Sequence, residues 1–351
     1  MAYTTIDDPS AHFQVGLLTG NAGLISLTND GNSDLQPDML WHKERGGTQP
    51  HTIRDTSRGI DKFVYILTNA EGTNSYFTSF NTDGYTINST DNEVNGSGDT
   101  YASWQWKANG GSTSSNTTGD ITSTVQINTT AGFSIGTYTG DADNTSSVGH
   151  GLGATPGLVI LKSRTGTHSW IVWHQSLTAT SAYALDLENS DAQANNVSYF
   201  HDTAPDANTF HPGDGGASNG SGTATLFYAW KEIQGYSKFG GYTGNGNADG
   251  TFVYLGFRPA LIIIKCTSTA STDWVMYSHN IDVNPIGSAS GTLYPSLSDA
   301  ASSAGGIDFL SNGFKARSTN GYNNGSSRTY VYAAFAHQPF VTSGGVPCTA
   351  F

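Results

Sequence analysis

Asn95-Gly96-Ser97-Gly98-Asp99-Thr100-Tyr101-Ala102-Ser103-Trp104-Gln105-Trp106-Lys107 decides how this chain is read. A glycine-rich turn feeds a run in which every second residue is apolar, the period of a strand. The pattern returns twice. Asn219-Gly220-Ser221-Gly222 leads into Leu226-Phe227-Tyr228-Ala229-Trp230-Lys231, and Asn324-Gly325-Ser326-Ser327 leads into Tyr330-Val331-Tyr332-Ala333-Ala334-Phe335-Ala336. One face of these runs reads Ala102, Trp104, Trp106, then Leu226, Tyr228, Trp230, then Val331, Ala333, Phe335. That face is expected to be core. The other face is Tyr101, Ser103, Gln105 in the first copy but largely apolar in the later two, so the later strands should be covered on both sides.

Two further landmarks recur in the same order at nearly constant spacing. The first is an aromatic start ending in Thr-Gly: Phe13 to Thr19-Gly20, Phe133 to Thr139-Gly140, Phe239 to Thr243-Gly244. The second is a proline before an apolar strand ending in lysine: Pro37 to Lys43, Pro156 to Lys162, Pro259 to Lys265. Three landmarks in one order identify an internal triplication. Short strands separated by turn signals make the class all-β, with three tandem β-sandwich units. The expected boundaries are 1–110, 111–234 and 235–351. Residues 108–119, rich in Gly, Ser, Thr and Asn, read as a flexible linker, which leaves the first unit freer and pairs the other two. Ala-rich pieces at 186–194 and 296–304 offer one helical turn each. The tail from Pro339 to Phe351 either docks on a neighbouring part or frays.

Composition narrows the function. The net charge is −13 and only 12% of residues are charged, against 43 glycines and 11% aromatics. With no basic run, nucleic-acid binding and attraction to an anionic membrane are both disfavoured. No apolar stretch is long enough for a spanning helix, and Met1 to Asp8 lacks the basic and apolar regions of a signal peptide. Cys266 and Cys348 alone cannot form a disulfide framework or a thiolate zinc site; they read as free thiols, with a bridge between the two as the alternative.

Chemistry-bearing motifs are sparse. Gly216-Ala217-Ser218-Asn219-Gly220 matches a nucleophile elbow but precedes a strand, where turn chemistry explains it. His150 sits in a glycine-flanked loop that could hold a ligand or simply bond local backbone. Trp173-His174 closes a strand and reads as edge packing. Asp186 and Glu188 alternate, so on a strand they would share a face, as glycoside hydrolysis requires; a solvated face accounts for them equally. Asp141, Asp143 and Asn144 make an oxygen-rich turn, short of a calcium ligand set. Residues 54–59, with Arg54, Asp55 and Arg58, read as a local ion-pair network. Tyr76, Trp170, Tyr199 and Tyr322 lie beside polar loops and are the candidate ligand-binding residues, because aromatic faces stack on sugar C–H surfaces; core packing is the competing explanation. No catalytic residue, metal ligand set or cofactor motif is assigned.

Landmarks along almost the whole chain resemble a family of tailed-bacteriophage virion proteins abundant among phages of marine bacteria. They include 30–38 followed by Trp41 and Lys43, Asp55 with Arg58-Gly59, Asn81 with Asp83-Gly84-Tyr85, and Asn95-Gly96-Ser97-Gly98. Gly149-His150-Gly151-Leu152 before Pro156, Gly235-Tyr236-Ser237-Lys238-Phe239, 310–315 and 332–336 complete the set. The resemblance implies lectin-like or jelly-roll-like β-domains in a non-enzymatic particle component, made in the host cytoplasm and carried on the virion. Its implied partners are other virion proteins and further copies of itself, with a host cell-surface glycan as the alternative ligand.

Overall fold

The computed structural model describes residues 2–178, 183–281, 291–303 and 306–349. Nearly every element in it is a strand, and every paired strand among the named ones runs antiparallel to its neighbour. The helical element among the described residues is one 3₁₀ turn at Pro9–Ala11, so no helix there could cross a membrane. The helical turns expected at 186–194 and 296–304 do not form in their described residues; Ala304 lies outside them.

Three large sheets repeat one strand order. In the first, Phe13–Thr19 pairs with the closing strand Thr100–Trp106, which pairs with the proline strand Met39–Glu44, which pairs with Thr52–Asp55. The second runs Phe133–Thr139, Ala224–Trp230, Leu158–Ser163, Trp170–His174. The third runs Ser237–Thr243, Thr329–Pro339, Phe257–Cys266, Val275–Ser278. The registers correct one detail of the triplication. Phe13 lies opposite Trp106 and Phe133 opposite Trp230, but Phe335 lies opposite Ser237, while Phe239 faces Ala333. Phe239 is therefore two positions off the place held by Phe13 and Phe133. A shift of two keeps a strand residue on its face, so the alternation hides it.

The Asn-Gly turns fold alike in all three copies. Asn95, Asn219 and Asn324 are fully buried. Each side-chain oxygen accepts the backbone N–H of Asn21, Asp141 or Asn245, at 2.9, 3.1 and 3.0 Å. Each amide donates to a carbonyl two residues further on, at Gly23, Asp143 or Asn247. Asp141 thus stands where the other copies have asparagine. Its carboxylate is occupied by Asn219, Ser146 and the Asp143 N–H, which explains the oxygen-rich turn without a cation. Gly20, Gly140 and Gly244 are required here, since a Cβ would come within 2.2–2.4 Å of the facing turn carbonyl.

The expected core face is buried in every copy, and it belongs to a single core shared by the three sheets. Trp106, Trp230 and Phe335, equivalent by register, form a triangle with centroids 6.0, 5.3 and 6.2 Å apart. Phe13, Phe133 and Phe239 pack around it. The opposite faces each have a separate cluster under a small sheet: Leu40 and Tyr101 under Phe77–Phe80 and Tyr85–Asn88, Phe227 under Val148–Gly149 and Thr209–Phe210, and Ile262 and Tyr332 under Phe252–Tyr254 and Gly313–Ala316. Both faces of the first closing strand are covered too, unlike the expectation. Its polar face is satisfied internally: Gln105 donates to Asn29 at 2.7 Å and accepts from it at 3.2 Å.

The sheets close in a ring through three equivalent positions, Asp55, His174 and Ser278. Asp55 accepts from the Tyr228 hydroxyl (2.7 Å), His174 meets the Tyr332 carbonyl (3.0 Å), and Ser278 accepts from the Trp104 indole (2.7 Å). At the other end, Trp170 donates to the Tyr65 carbonyl and Trp274 to the Asp186 carbonyl, while His51 faces the Tyr294 backbone. The first sheet is thus bonded to both others, and residues 108–119 are no loose linker. Asp38 accepts the N–H groups of Ala108, Gly110 and Gly111 at 2.7–3.0 Å. The charge cluster at 54–59 also reaches across the ring: Arg58 bridges Asp55 (2.6 Å) and Glu71 (2.8 Å), and Glu71 holds Arg164 of the second sheet (2.9 Å). Burial alone would lower the Arg58 pKa, but Asp55, Tyr228 and Glu71 raise it.

Candidate functional site

Three seams separate the sheets, and two are plugged. Between the first and second, Gln126 donates to Thr56 and Ser57 at 2.9 Å and accepts the N–H groups of Asn109 and Gly111. Between the second and third, Gln175 donates to the Phe239 carbonyl and to Glu232, which also accepts the Phe239 N–H. The third seam, between the third and first sheets, is open. There the position of Gln175 is held by His279 and that of Ser176 by Asn280.

The opening follows from the strands. The third closing strand has 11 residues where the others have 7, and the proline strand beside it has 10 against 6. Their register slips between Arg258 and Leu261, leaving small Ala260 without a cross-strand partner. Above Ala260 lies a cleft of about 250 Å³, floored by Phe13, Val15 and Ala336 and walled by Asp30, Asn280 and Gln338. A second lobe of about 130 Å³ continues beneath the tail, past Asn32 to Thr342 and Cys348. The tail docks, as one of the two expectations had it: Asp7 accepts from both the backbone and the hydroxyl of Ser343, and Arg258 donates to the Thr349 carbonyl. Phe351 lies outside the described residues.

One wall is locked by local chemistry. Asp8 caps the 3₁₀ turn through Ser10 N–H (3.0 Å) and accepts from the Ser33 hydroxyl (2.6 Å). Gln14 donates to the Ser10 and Ser33 carbonyls and accepts the Gly31 N–H, fixing the 30–32 loop. On the other side His279 and His337 rings lie 4.4 Å apart, with the Arg258 guanidinium 2.6 Å from His337 Nδ1. Burial, then the His279 and Arg258 charges, push the His337 pKa down to about 3, and burial also lowers His279. Both imidazoles are neutral at pH 7. The Asn280 amide spends its N–H on the Val15 carbonyl (2.8 Å), which fixes its oxygen as an acceptor; that oxygen is buried without a partner.

The aromatic candidates fall elsewhere. Trp170 is fully buried in the shared core, which corrects its assignment as a ligand-binding residue: its strand is covered on both faces. Tyr76 packs on the first outer cluster with its hydroxyl on Asp91 (2.8 Å). Tyr199 lies against the second outer cluster, and Tyr322 against the third with its ring edge-on to Tyr294. Nothing brings the four together. Asp186 ends a strand and Glu188 lies beyond it, holding the Trp170 N–H (2.9 Å). Burial, then the Glu188 charge, push the Asp186 carboxyl up to about 6, but neither residue lines the cleft. His150 bonds the Asp206 carbonyl and the Leu152 N–H, and Ser218 bonds the Ser198 and Gly213 carbonyls, both as local structure. Cys266 and Cys348 are free thiols. Among the described residues no three His, Cys, Asp or Glu side chains gather at metal-binding distance.

Comparison with known families is decided by one match, a family model described as a domain of unknown function (DUF7483), over residues 8–339. The chain belongs to that family. The matched DUF7483 span takes in all three large sheets and the first lobe of the cleft, and stops at Pro339, where the tail begins. No curated protein and no solved structure matches the chain.

Sequence reasoning missed the cleft. Its residues are loop positions (Asp30, Asn32) and strand ends (Asn280, Gln338) that no period singles out. The available signal was the third copy itself, whose closing run continues apolar through Ala336 where the others stop at lysine.

Proposed function

We propose that this member of DUF7483 is a non-enzymatic structural protein of a tailed-phage particle, an external component of tail or capsid built as three tandem β-sandwich units of jelly-roll or lectin-like type. The observation that carries the reading is the ring of three equivalent sheets around Trp106, Trp230 and Phe335, a rigid block whose buried polar groups serve packing. The sequence landmarks supply the link to a virion. Its partners are then other particle proteins and further copies of this chain, in keeping with the symmetry of such assemblies. Quantitative mass spectrometry across a gradient of purified particles tests this. The chain should co-migrate with the particles at fixed stoichiometry; a monodisperse monomer left entirely in the soluble fraction refutes it. A second reading, a receptor- or glycan-binding module, is favoured by the open seam, and a whole-cell adsorption assay separates the two.

A further inference from the structure

We infer that the free edge of Phe13–Thr19, with the open seam at its end, docks an extended peptide strand of a partner protein, paired antiparallel and basic at its C-terminal end. The edge would serve on a particle or off one, so co-migration with particles can fail while this binding stands.

The molecule holds its own template. In the second sheet the equivalent strand, Phe133–Thr139, is covered by Ser123–Asn128, which pairs with it antiparallel. Gln126 of that added strand lies opposite Ile135 and plugs the seam. The third sheet has no added strand, but Phe239, in the place of Ile135, has its N–H bonded to Glu232 and its carbonyl to Gln175. The first sheet has neither device. There the Gly20 N–H bonds Asp99 and the Lys107 N–H bonds His12, which makes the even-numbered residues the ones tied to Thr100–Trp106. Val15, Leu17 and Thr19 therefore turn their backbone groups outward. Asn280 takes the Val15 carbonyl; among the described residues the Val15 N–H and both groups of Leu17 and Thr19 find no protein partner. Leu17 and Thr19 are exposed, and Phe13–Thr19 contains no charge, proline or bulge, the devices that shield sheet edges. Such an edge binds a strand through its main chain, and neighbouring pockets select the side chains.

Direction decides which end of the strand meets the cleft. Ser123–Asn128 runs from Tyr138 towards Phe133, so a strand laid likewise on the first sheet starts at Leu18 and ends over Phe13 and Val15, on the cleft floor. Its residue opposite Val15 would meet His279 and Asn280, which hold the places of Thr56 and Ser57, the partners of Gln126. Its last residues would enter the lobes of about 250 and 130 Å³. The charged side chains among the described residues lining these lobes are Asp7, Asp8 and Asp30, and the two imidazoles are neutral at pH 7. A lysine or arginine is complementary to that lining and an acidic residue is repelled by it.

Fluorescence anisotropy and hydrogen exchange on the full chain test this with three amidated peptides. The first carries the sequence of residues 121–128 followed by two lysines, the second ends in two glutamates instead, and the third is the lysine peptide with Thr124→Pro. The lysine peptide should bind and slow exchange within residues 13–19, while the glutamate and proline peptides bind about tenfold more weakly or worse. In the protein, Leu17→Pro removes an outward N–H that the ladder to Thr100–Trp106 does not use, so the fold tolerates it, and binding should fall about tenfold or more. Asp30→Lys, at an exposed loop position, should weaken the lysine peptide about tenfold through charge alone, which keeps the test intact if Leu17→Pro lowers the unfolding midpoint. The proposal is overturned if the lysine peptide does not bind, if either other peptide binds as tightly, or if the variants leave binding unchanged. It is overturned equally if the chain alone forms a dimer that Leu17→Pro dissolves, since a second copy then holds the edge.

Discussion

The seam between the first and second sheets and the seam between the third and first begin from equivalent strands and end differently. Gln126 fills one with four hydrogen bonds, whereas the other keeps a cleft over Ala260. The difference teaches that the strand order shared by the three large sheets supplies the framework and that departure from it opens the cleft. Where the three copies agree, at the buried asparagines, the aromatic triangle and the ring contacts, the residues hold the fold. Where the third copy lengthens two strands and slips register, room for a ligand opens.

The sharpest way to break this comparison is at the triangle, where all three seams meet. Trp106→Ala, Trp230→Ala and Phe335→Ala should each cost about 3–5 kcal/mol, because a large buried ring leaves a cavity the sheets cannot close. Denaturant midpoints check this, and a small loss for any one of them would show that its sheet is not part of the shared core. Next comes the contrast between seams. Gln126→Ala strands the Asn109 N–H, while the Gly111 N–H and the Thr56 hydroxyl keep Asp38, and should cost about 1–3 kcal/mol. Asn32→Ala, on the rim of the open seam, should stay within about 0.5 kcal/mol. Equal losses would mean that the open seam is as structural as the closed one.

A smaller effect follows from three equivalent lysines. Lys43, Lys162 and Lys265 are fully buried, bond to backbone carbonyls, and are each pushed down to about 8 by burial. A lysine with a folded pKa below its unfolded value of 10.5 binds fewer protons folded than unfolded between the two. Stability should therefore rise as pH goes from about 8 towards 10. Buried tyrosines act oppositely: Tyr101 and Tyr330, raised to about 12 chiefly by burial, hold protons in the folded state that the unfolded chain releases, so the gain reverses above the ordinary tyrosine value of 10. Thermal midpoints across this range check the shape, and Lys162→Met should flatten the rising limb.

Much of the fold could be read from the sequence because the repeat is written in its turns. The Asn-Gly turns, the proline strands and the two-residue alternation place the strands that form the large sheets. What could not be read depends on contacts between copies. The alternation marks Trp104 and Trp106 as buried but cannot say that they meet Ser278 and Phe335 from another copy. It fails likewise for Trp170, whose ring lies beneath a neighbouring sheet, and for residues 108–119, whose loop-like composition conceals the anchor at Asp38. The site was least legible, since Asp30, Asn280 and Gln338 converge only after the ring closes.

Calorimetry of the full chain tests the central claim, that three sheets form one body around one core. The account predicts a single transition with equal calorimetric and van't Hoff enthalpies, shifted as a whole by Trp106→Ala. Separate transitions, of which Trp106→Ala moves only one, would contradict it.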